Sequence, residues 1–332
     1  MENAVWVGLT PILRWFTVSF SLVNREPLRI GAGRGGDRLG SPVDLPVYRQ
    51  LVYHGDGTVT EEPVIPGSSL KGVLRTATMA LLSSCGVEAH SGVGSENCVA
   101  SCFGVVSVFD QLRRSASAGE IRRLIAGFCP ACLLYGAPSL ASRVSVGEFT
   151  PTEKGVRTGV KTGVGIDRRR GAAAQRVLYT VEYVEPGTVF QGSISTVNTP
   201  NWMLSLLAAS ITAIGGGWFK IGGFKSRGMG LVEIGRGSVE IRVEPVEKRD
   251  GSAVLPVLDS GLDREEPLEG CSLEACLRGF RAVCGGEAGY RVLQTLAEAW
   301  HSHYCGRAAE ALKRRREESS SLCEQYRIAS EQ

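Results

Sequence analysis

The sequence feature that most constrains the fold is an extended run that turns abruptly into an amphipathic helix. Residues 62–75 read EPVIPGSSLKGVLR. Pro66 disfavours helix in the residue before it, and serine accepts hydrogen bonds from the free amides of a helix start, so the helix is predicted to open at Ser68 or Ser69. Five apolar residues recur at helical spacing and are predicted to face a core: Leu70, Val73, Leu74, Ala77 and Leu81.

The opposite face of this helix has the chemistry of an anion site. Lys71 and Arg75 are four residues apart and are predicted to lie together beside the first turns. Free amides, the positive end of the helix dipole, the hydroxyls of Ser68 and Ser69 and the two cations would then converge on a phosphate. The alternative is an ordinary capped helix with solvated basic residues. A nucleotide-binding P-loop is excluded, because GSSLKG lacks the Gly-Lys-Ser/Thr ending.

A second glycine-rich stretch carries further cations. Residues 222–230 read GGFKSRGMG, and Lys225, Ser226 and Arg227 stand there among small residues, where side chains and amides together can hold phosphates. This stretch and the string IPGSSLKG, followed by Arg75, resemble two hallmark motifs of the RAMP superfamily. Those repeat-associated proteins build type III CRISPR effector complexes of the Csm or Cmr type. The resemblance covers residues 10–235.

The order of predicted elements is that of an α+β protein with a ferredoxin-like βαββαβ core, the fold class of RNA-recognition domains. A strand, the helix described above, further strands, a second helix and a last strand follow one another along residues 10–235. The remaining parts are predicted as a cysteine-containing insertion at 85–135, a protruding thumb hairpin at 150–174, a linker or peripheral strands at 236–270, and a helical C-terminal extension at 271–330.

The predicted hairpin is strongly basic. From Lys154 to Arg176 the chain has seven basic residues and one acidic residue, Asp167. Such a local excess is typical of a segment that binds a polyanion, and a solvated basic loop is the alternative. The segment resembles the thumb of the family's backbone subunits, which implies that it inserts across the duplex of guide and target RNA. Lys161 and Arg168 are then RNA-binding residues.

Two loops between the first strand and the first helix add candidate residues. Arg29 and Arg34 lie in a glycine and arginine loop that can approach a phosphate chain closely, and a flexible connection is the alternative. Asp44, within the string PVDLPVYR, matches the aspartate that target-cleaving members of the family require for cutting RNA. The resemblance implies a catalytic role for Asp44, with Mg²⁺ or Mn²⁺ as the metal. Asp37 is the alternative carboxylate.

The resemblance therefore implies a backbone subunit that binds CRISPR guide RNA and acts as an endoribonuclease on the paired target RNA. Its partners would be these two RNAs, the other subunits of a type III complex and further copies of itself. Binding without cleavage is one alternative. A guide-processing ribonuclease is another, but its chemistry usually needs a histidine near the first helix, and none of the four histidines has a matched position: His54, His90, His301 and His303.

Two close cysteine pairs indicate a structural zinc site. Cys98 and Cys102 are separated by three residues, and Cys129 and Cys132 by two, which is the way tetrahedral sites are assembled from short segments. Cys85 and His90 are possible substitutes, and buried thiols or disulfides are alternatives to a metal. The five cysteines after residue 270 form no tight pairs and are assigned no metal.

Composition adds little beyond an ordinary globular balance, with 43% hydrophobic and 21% charged residues and a net charge of +3. Residues 186–219 contain no charged side chain. Gln191, Asn198, Pro200 and a run of glycines interrupt the apolar sequence there, so no membrane span is predicted. No secretory signal is recognised. The expectation is a cytoplasmic protein.

Overall fold

A computed structural model of the chain describes residues 4–31, 43–104, 109–110, 112, 116–167, 169–170 and 172–331. Arg34, Asp37 and Arg168, named above as candidate residues, lie outside the described residues. The described part is a mixed α+β structure in which helices pack on a curled antiparallel sheet.

The strands, numbered in chain order, are β1 Trp15–Asn24, β2 Arg49–Tyr53, β3 Val59–Pro63, β4 Val144–Val146, β5 Thr150–Pro151, β6 Thr158–Asp167, β7 Ala172–Val184, β8 Val189–Val197, β9 Val232–Ile234, β10 Glu240–Arg249, β11 Ser252–Leu255, β12 Glu266–Leu268, β13 Ser272–Cys276 and β14 Gly279–Gly285. The helices are α1 Gly67–Ser84, α2 Cys98–Phe103, α3 Ala118–Ala126, α4 Pro130–Tyr135, α5 Asn201–Gly215, α6 Gly286–Ala299 and α7 Cys305–Glu331. Short 3-10 turns cover Ala4–Val7, Lys225–Arg227 and Arg236–Ser238, and a π turn, Trp300–Tyr304, joins α6 to α7.

Strand β1 is the centre of the main sheet, which has ten strands among the described residues and runs β12-β11-β10-β1-β8-β4. One edge of β1 pairs with β8 over almost its whole length. The other edge pairs with β10 along its first half and with β9 along its last three residues, so the sheet branches and curls there. Strands β14 and β13 extend the sheet from β10, and β5 lies beside β8.

Burial along β1 follows the pleat of a strand with one face on the core. Phe16, Val18, Phe20 and Leu22 alternate and are each at most 3% exposed. Full burial of such side chains is worth about 1.5–3 kcal/mol each, which fixes the register of β1, because a slip of one residue would expose all four.

Helices α1 and α5 pack against each other, and α6 packs on α5. Helix α5 is apolar on all sides because it is buried all round, as its sequence NWMLSLLAASITAIG requires. Where α1 meets α5, the Thr78 hydroxyl lies 2.8 Å from both the Ser210 hydroxyl and the Tyr135 hydroxyl. This buried chain of hydroxyls joins α1, α4 and α5, because each buried polar atom finds its partner in a neighbouring helix.

The C-terminal part differs from the predicted helical extension over 271–330. Residues 272–285 form the hairpin β13–β14, closed by the disulfide Cys271–Cys284, and helix begins only at Gly286. Leu273 and Cys276 have the spacing of a helix, but they lie on strand β13. In the neighbouring strand β14, alternate residues are buried in the core. Residues 236–270, predicted as a linker or peripheral strands, contain β10, β11 and β12, and β10 is not peripheral because it lies inside the main sheet beside β1.

Two more disulfides fasten the last helix to the region of the predicted insertion. Cys85 at the end of α1 is bonded to Cys305, and Cys102 in α2 is bonded to Cys323. Both therefore hold α7 against segments that lie more than 200 residues earlier in the chain. None of the described helices combines the length and the hydropathy needed to cross a bilayer.

Candidate nucleic-acid interface and metal centre

The end of strand β7 is the scaffold on which the candidate residues meet. One edge of β7 pairs with β6 to form a long hairpin, and its other edge accepts two loop segments. Leu28 exchanges main-chain hydrogen bonds with Val184, and Leu45 bonds to Thr180 and Glu182. The loop that contains Arg29 and the loop that contains Asp44 are thereby fixed side by side.

An open cleft of about 590 Å³ lies next to this edge. Among the described residues, four segments form its walls: the Arg29 loop, the Asp44 loop through Leu45, the first turns of α1 and the glycine-rich loop before β9. The residues that line it include Arg29, Ile30, Gly31, Leu45, Ser69, Gly72, Val73, Thr76, Gly222, Gly223 and Lys225. The structure therefore brings together Arg29, Ser69 and Lys225, which were predicted to bind RNA.

Arg29 lies folded along the wall of the cleft. Its guanidinium lies over the ring of Phe224, with Cζ 5.4 Å from the ring centroid, and its Nε donates to the Leu45 carbonyl at 3.4 Å. A Cβ at Gly31 would lie 2.7 Å from Nη2, so glycine at that position leaves room for the guanidinium. Partial burial lowers the pKa of Arg29. The group still carries its charge at neutral pH, and no carboxylate is found among the lining residues that the structure describes.

The glycine-rich loop is docked on the main chain of the Arg29 segment. The amide of Gly223 donates to the Arg29 carbonyl at 2.8 Å, and the amide of Gly230 donates to the Pro27 carbonyl at 2.9 Å. Gly222 has φ +79°, and a Cβ there would lie 2.2 Å from the Arg29 carbonyl oxygen. Glycine is required here by both the left-handed conformation and the close approach.

Lys225, Ser226 and Arg227 form an exposed 3-10 turn at the tip of this loop. Arg227 donates to the hydroxyl of Tyr179, and its guanidinium lies over the ring of Phe224. The rings of Tyr179 and Phe224 stack with centroids 6.3 Å apart. The turn is thus fastened to β7, and of its three residues Lys225 lines the cleft.

The aromatic link between Tyr179 and Phe224 was not predicted from the sequence. The sequence feature that could have indicated it is a glycine placed to pair with an aromatic residue on the neighbouring strand. Gly163 stands opposite Tyr179, and Gly159 stands opposite Tyr183. A Cβ at Gly163 would lie 2.3 Å from the Tyr179 ring, so the ring lies flat over the glycine. Lys161, two residues from Gly163, is exposed on the same face of the hairpin.

Helix α1 starts one residue earlier than predicted and without a serine cap. The helix begins at Gly67, its N-cap is Pro66, and the amides of Ser69 and Leu70 donate to the Pro66 carbonyl. A Cβ at Gly67 would lie 2.2 Å from the Val146 carbonyl oxygen, so the helix start is pressed against β4. Ser68 is exposed, and the Ser69 side chain faces the cleft instead of capping the helix.

Lys71 and Arg75 do not line the cleft. The Nζ of Lys71 donates to the Ser142 hydroxyl at 2.9 Å, and partial burial, followed by the nearby charge of Arg75, lowers the pKa of Lys71. Arg75 donates to the Gly136 carbonyl at 3.0 Å. The two cations share one face of α1, as predicted, but this face contacts the segment around α4. The cleft is formed by the face that carries Ser69 and Gly72.

Asp44 is exposed next to the cleft, at the base of the long hairpin. Its Oδ2 accepts hydrogen bonds from the Thr180 amide at 2.6 Å and from the Thr180 hydroxyl at 2.9 Å. These two bonds, the amide first, hold the pKa of Asp44 below its ordinary value. On the face of the hairpin that carries Thr180, nearer its tip, Val164 and Leu178 stand opposite each other and are both exposed.

Four other candidate ligands form a compact cluster away from the cleft. The ligand atoms of His90, Cys98, Cys129 and Cys132 all lie within 4.8 Å of one another. The three cysteines are buried and His90 is partly buried. Cys102, predicted as the fourth ligand, is instead bonded to Cys323, because α7 packs along α2. His90, named above as a possible substitute, takes the fourth position.

The local backbone supports negative charge on the sulfur atoms. The Cys129 amide donates to Cys98 Sγ at 3.1 Å, and the Cys132 amide donates to Cys129 Sγ at 3.4 Å. Hydrogen bonds from the Cys132 and Cys98 thiols lower the pKa of Cys129, and the same hydrogen bonds raise the pKa of Cys98 and of Cys132, so without a metal the negative charge is centred on Cys129. Three sulfurs and one imidazole around a common centre are a tetrahedral ligand set for zinc, whose ligand atoms lie roughly 3.5 Å apart. The cluster therefore fits a metal such as zinc.

Comparison with known proteins agrees with the family resemblance of the string IPGSSLKG and of the glycine-rich loop. No curated protein matches the sequence significantly. The sequence profile of the RAMP superfamily matches residues 24–233, a span that holds Arg29, the start of α1, the long hairpin and the glycine-rich loop. Because the match covers more than half of the chain, the protein belongs to the RAMP superfamily.

Proposed function

We propose that the protein binds CRISPR guide RNA as a backbone subunit of a type III effector complex. The observation that carries this proposal is the convergence of three family segments on one open cleft. Arg29, Ser69 and Lys225 come from three distant parts of the chain and line the same surface. Family membership is consistent with such a role.

The cleft suits a phosphate chain better than it suits a compact ligand. It is open to solvent along one side, and its walls offer a guanidinium, an ammonium group and a serine hydroxyl. Gly72, Gly222 and Gly223 add wall positions without side chains, where a sugar-phosphate backbone can approach closely. Arginine and lysine near phosphates supply most of the affinity of such interfaces, without reading sequence.

The long hairpin is the second part of the proposal. It carries Lys161, and its exposed pair Val164 and Leu178 gives it an apolar surface near the tip. We infer that it acts as the thumb that inserts between paired bases, since apolar side chains are the usual wedges in nucleic-acid duplexes. Further copies of the same chain and other subunits of the complex would continue the RNA path beyond one cleft.

Asp44 is our candidate for the cleavage step. It is an exposed carboxylate, ionised at neutral pH, at the junction of the hairpin and the cleft. A carboxylate placed beside a ribose can accept the proton of the attacking 2′-hydroxyl or hold Mg²⁺ or Mn²⁺. Thr180 fixes its orientation, so the other carboxylate oxygen would keep one direction towards the RNA.

We further interpret the core as ferredoxin-like. Strands β4, β8, β1 and β9 lie in this order in the sheet, and α1 and α5 are the two helices that connect them. The antiparallel order and the paired helices support this interpretation. The His90 cluster is proposed to hold a structural zinc ion, since four protein ligands leave no open position for a substrate.

The test is cleavage of a labelled RNA complementary to the bound guide, in the assembled complex with Mg²⁺ or Mn²⁺. We expect regularly spaced cuts by the natural protein, none by Asp44→Ala, and guide binding by both. Glu153→Ala, which removes another exposed carboxylate of the hairpin region, is the matched control and should cut normally. Tight binding without cuts by the natural protein would leave the alternative of a non-catalytic subunit and would overturn the role of Asp44.

A further inference from the structure

Arg75 belongs to the surroundings of the cysteine cluster and not to the cleft. Its Nη2 lies 3.8 Å from Cys132 Sγ and donates to the Gly136 carbonyl, the residue that follows α4. A Cβ at Gly92 would lie 1.9 Å from the same Nη2. The loop before α2 can therefore lie directly against the guanidinium only because residue 92 is a glycine. The Nε of Arg75 is buried and has no hydrogen-bond partner among the residues that the structure describes. Arg75 is therefore enclosed by the two segments that carry the cluster.

The charge of the cluster explains why a cation is needed there. Three thiolates and a neutral imidazole around a divalent zinc ion carry a net charge of −1. The cysteines of this cluster are buried, and an unbalanced buried charge is strongly unfavourable. The guanidinium of Arg75 places one positive charge against one of the three sulfurs, and an N–H···S hydrogen bond to a ligand stabilises its thiolate form.

We propose that Arg75 is the counter-charge of a metal centre formed by His90, Cys98, Cys129 and Cys132, and that it positions the Cys132 sulfur. In this account the second basic residue of the first motif serves the metal and does not bind RNA. It also connects the two sites physically, because Arg75 stands on the helix whose other face lines the cleft.

The experiment compares zinc affinity and RNA affinity in the full-length protein. Arg75→Gln removes the charge and keeps a donor for the Gly136 carbonyl, and Arg75→Lys keeps the charge without the planar guanidinium. Lys71→Gln is the matched control on the same helix face, since Lys71 contacts Ser142 and not a sulfur. Zinc affinity is measured by competition with a chromophoric chelator, and the absorption spectrum of the Co²⁺-loaded protein reports on the ligand set.

We expect Arg75→Gln to bind zinc ~10-fold more weakly than the natural protein, as is typical when a group that contacts a metal ligand is removed. Arg75→Lys should stay close to the natural protein, Lys71→Gln should be unchanged, and all zinc-loaded variants should bind RNA alike. Unchanged zinc affinity of Arg75→Gln with weakened RNA binding would overturn the proposal and restore Arg75 as a phosphate ligand.

Two further outcomes also decide the question. A Co²⁺ spectrum without thiolate bands in the natural protein would refute the metal centre itself and leave the cleft proposal untouched. Should Arg75→Gln fail to fold, Arg75→Lys decides alone: near-natural zinc affinity supports a counter-charge, and a loss as large as that expected for the neutral variant contradicts it.

Discussion

Thr180 holds the carboxylate of Asp44 with two hydrogen bonds, one from its amide at 2.6 Å and one from its hydroxyl at 2.9 Å. The same hydroxyl accepts a hydrogen bond from the Asp44 amide, also at 2.9 Å. One threonine of β7 thus fixes both the main chain and the side chain of the proposed catalytic residue.

This relationship predicts how the pH dependence of cleavage responds to Thr180→Val. The hydrogen bonds lower the pKa of Asp44, so the carboxylate stays ionised to a lower pH than usual. Removing the hydroxyl raises this pKa only part of the way to its ordinary value, because the hydrogen bond from the Thr180 amide remains. The acid limb of the cleavage rate should move to higher pH, whereas a limb that does not move would separate Asp44 from the rate-determining proton transfer.

The salt dependence of guide binding should show how many cationic side chains of the cleft contact phosphates. Lys225→Ala is expected to lower the slope of log affinity against log salt concentration by about 0.7–1, which corresponds to one lost phosphate contact. Lys248→Ala is the matched control: Lys248 is also exposed, but it lies on β10 beyond the opposite end of β1. Equal slopes for both variants and the natural protein would contradict a phosphate contact at Lys225.

Two glycines of α1 should respond in opposite directions to alanine. Gly67→Ala places a Cβ 2.2 Å from the Val146 carbonyl oxygen and should lower the free energy of unfolding by about 1–3 kcal/mol. Gly72→Ala meets no atom within 4 Å and should raise it by about 0.5–1 kcal/mol, since alanine favours helix. Urea denaturation measures both, and a neutral Gly67→Ala would mean that the helix start is not pressed against β4.

The two disulfides of α7 should stabilise the fold cooperatively. While one of them is intact, loss of the other opens a loop of roughly 35 residues, worth about 3–4 kcal/mol in the chain-entropy account. Loss of both frees the much longer connection between Cys85 and Cys305. The paired variants Cys85→Ser/Cys305→Ser and Cys102→Ser/Cys323→Ser should therefore cost more together than the sum of their separate effects. Urea denaturation without reductant tests this, and strict additivity would contradict it.

Much of the cleft was predictable because it depends on local chemistry. A glycine-rich loop with Lys225 and a helix start after Pro66 have sequence signatures, and both lie where the motifs indicate. The orientation of Lys71 and Arg75 was not predictable, because spacing shows that two residues share a helix face but not what the face packs against. The segment that receives them, residues 132–142, has no sequence pattern that predicts this packing.

The metal ligands show a similar limit. The spacing of Cys129 and Cys132 indicates a site, but the choice between Cys102 and His90 depends on α7, which lies about 200 residues away in sequence and supplies the partner of Cys102. Helical spacing also misled the prediction for 272–285, where apolar residues fit both a helix and a short strand, and pairing with β10 decides for the strand.

The most direct test of the cleft proposal is the location of guide RNA on the protein. Guide RNA carrying 4-thiouridine would be cross-linked in the assembled complex, and the attached peptides identified by mass spectrometry. The account predicts cross-links in the Arg29 loop, at the start of α1 and in residues 222–227. Cross-links confined to other surfaces, with none in these three segments, would contradict it.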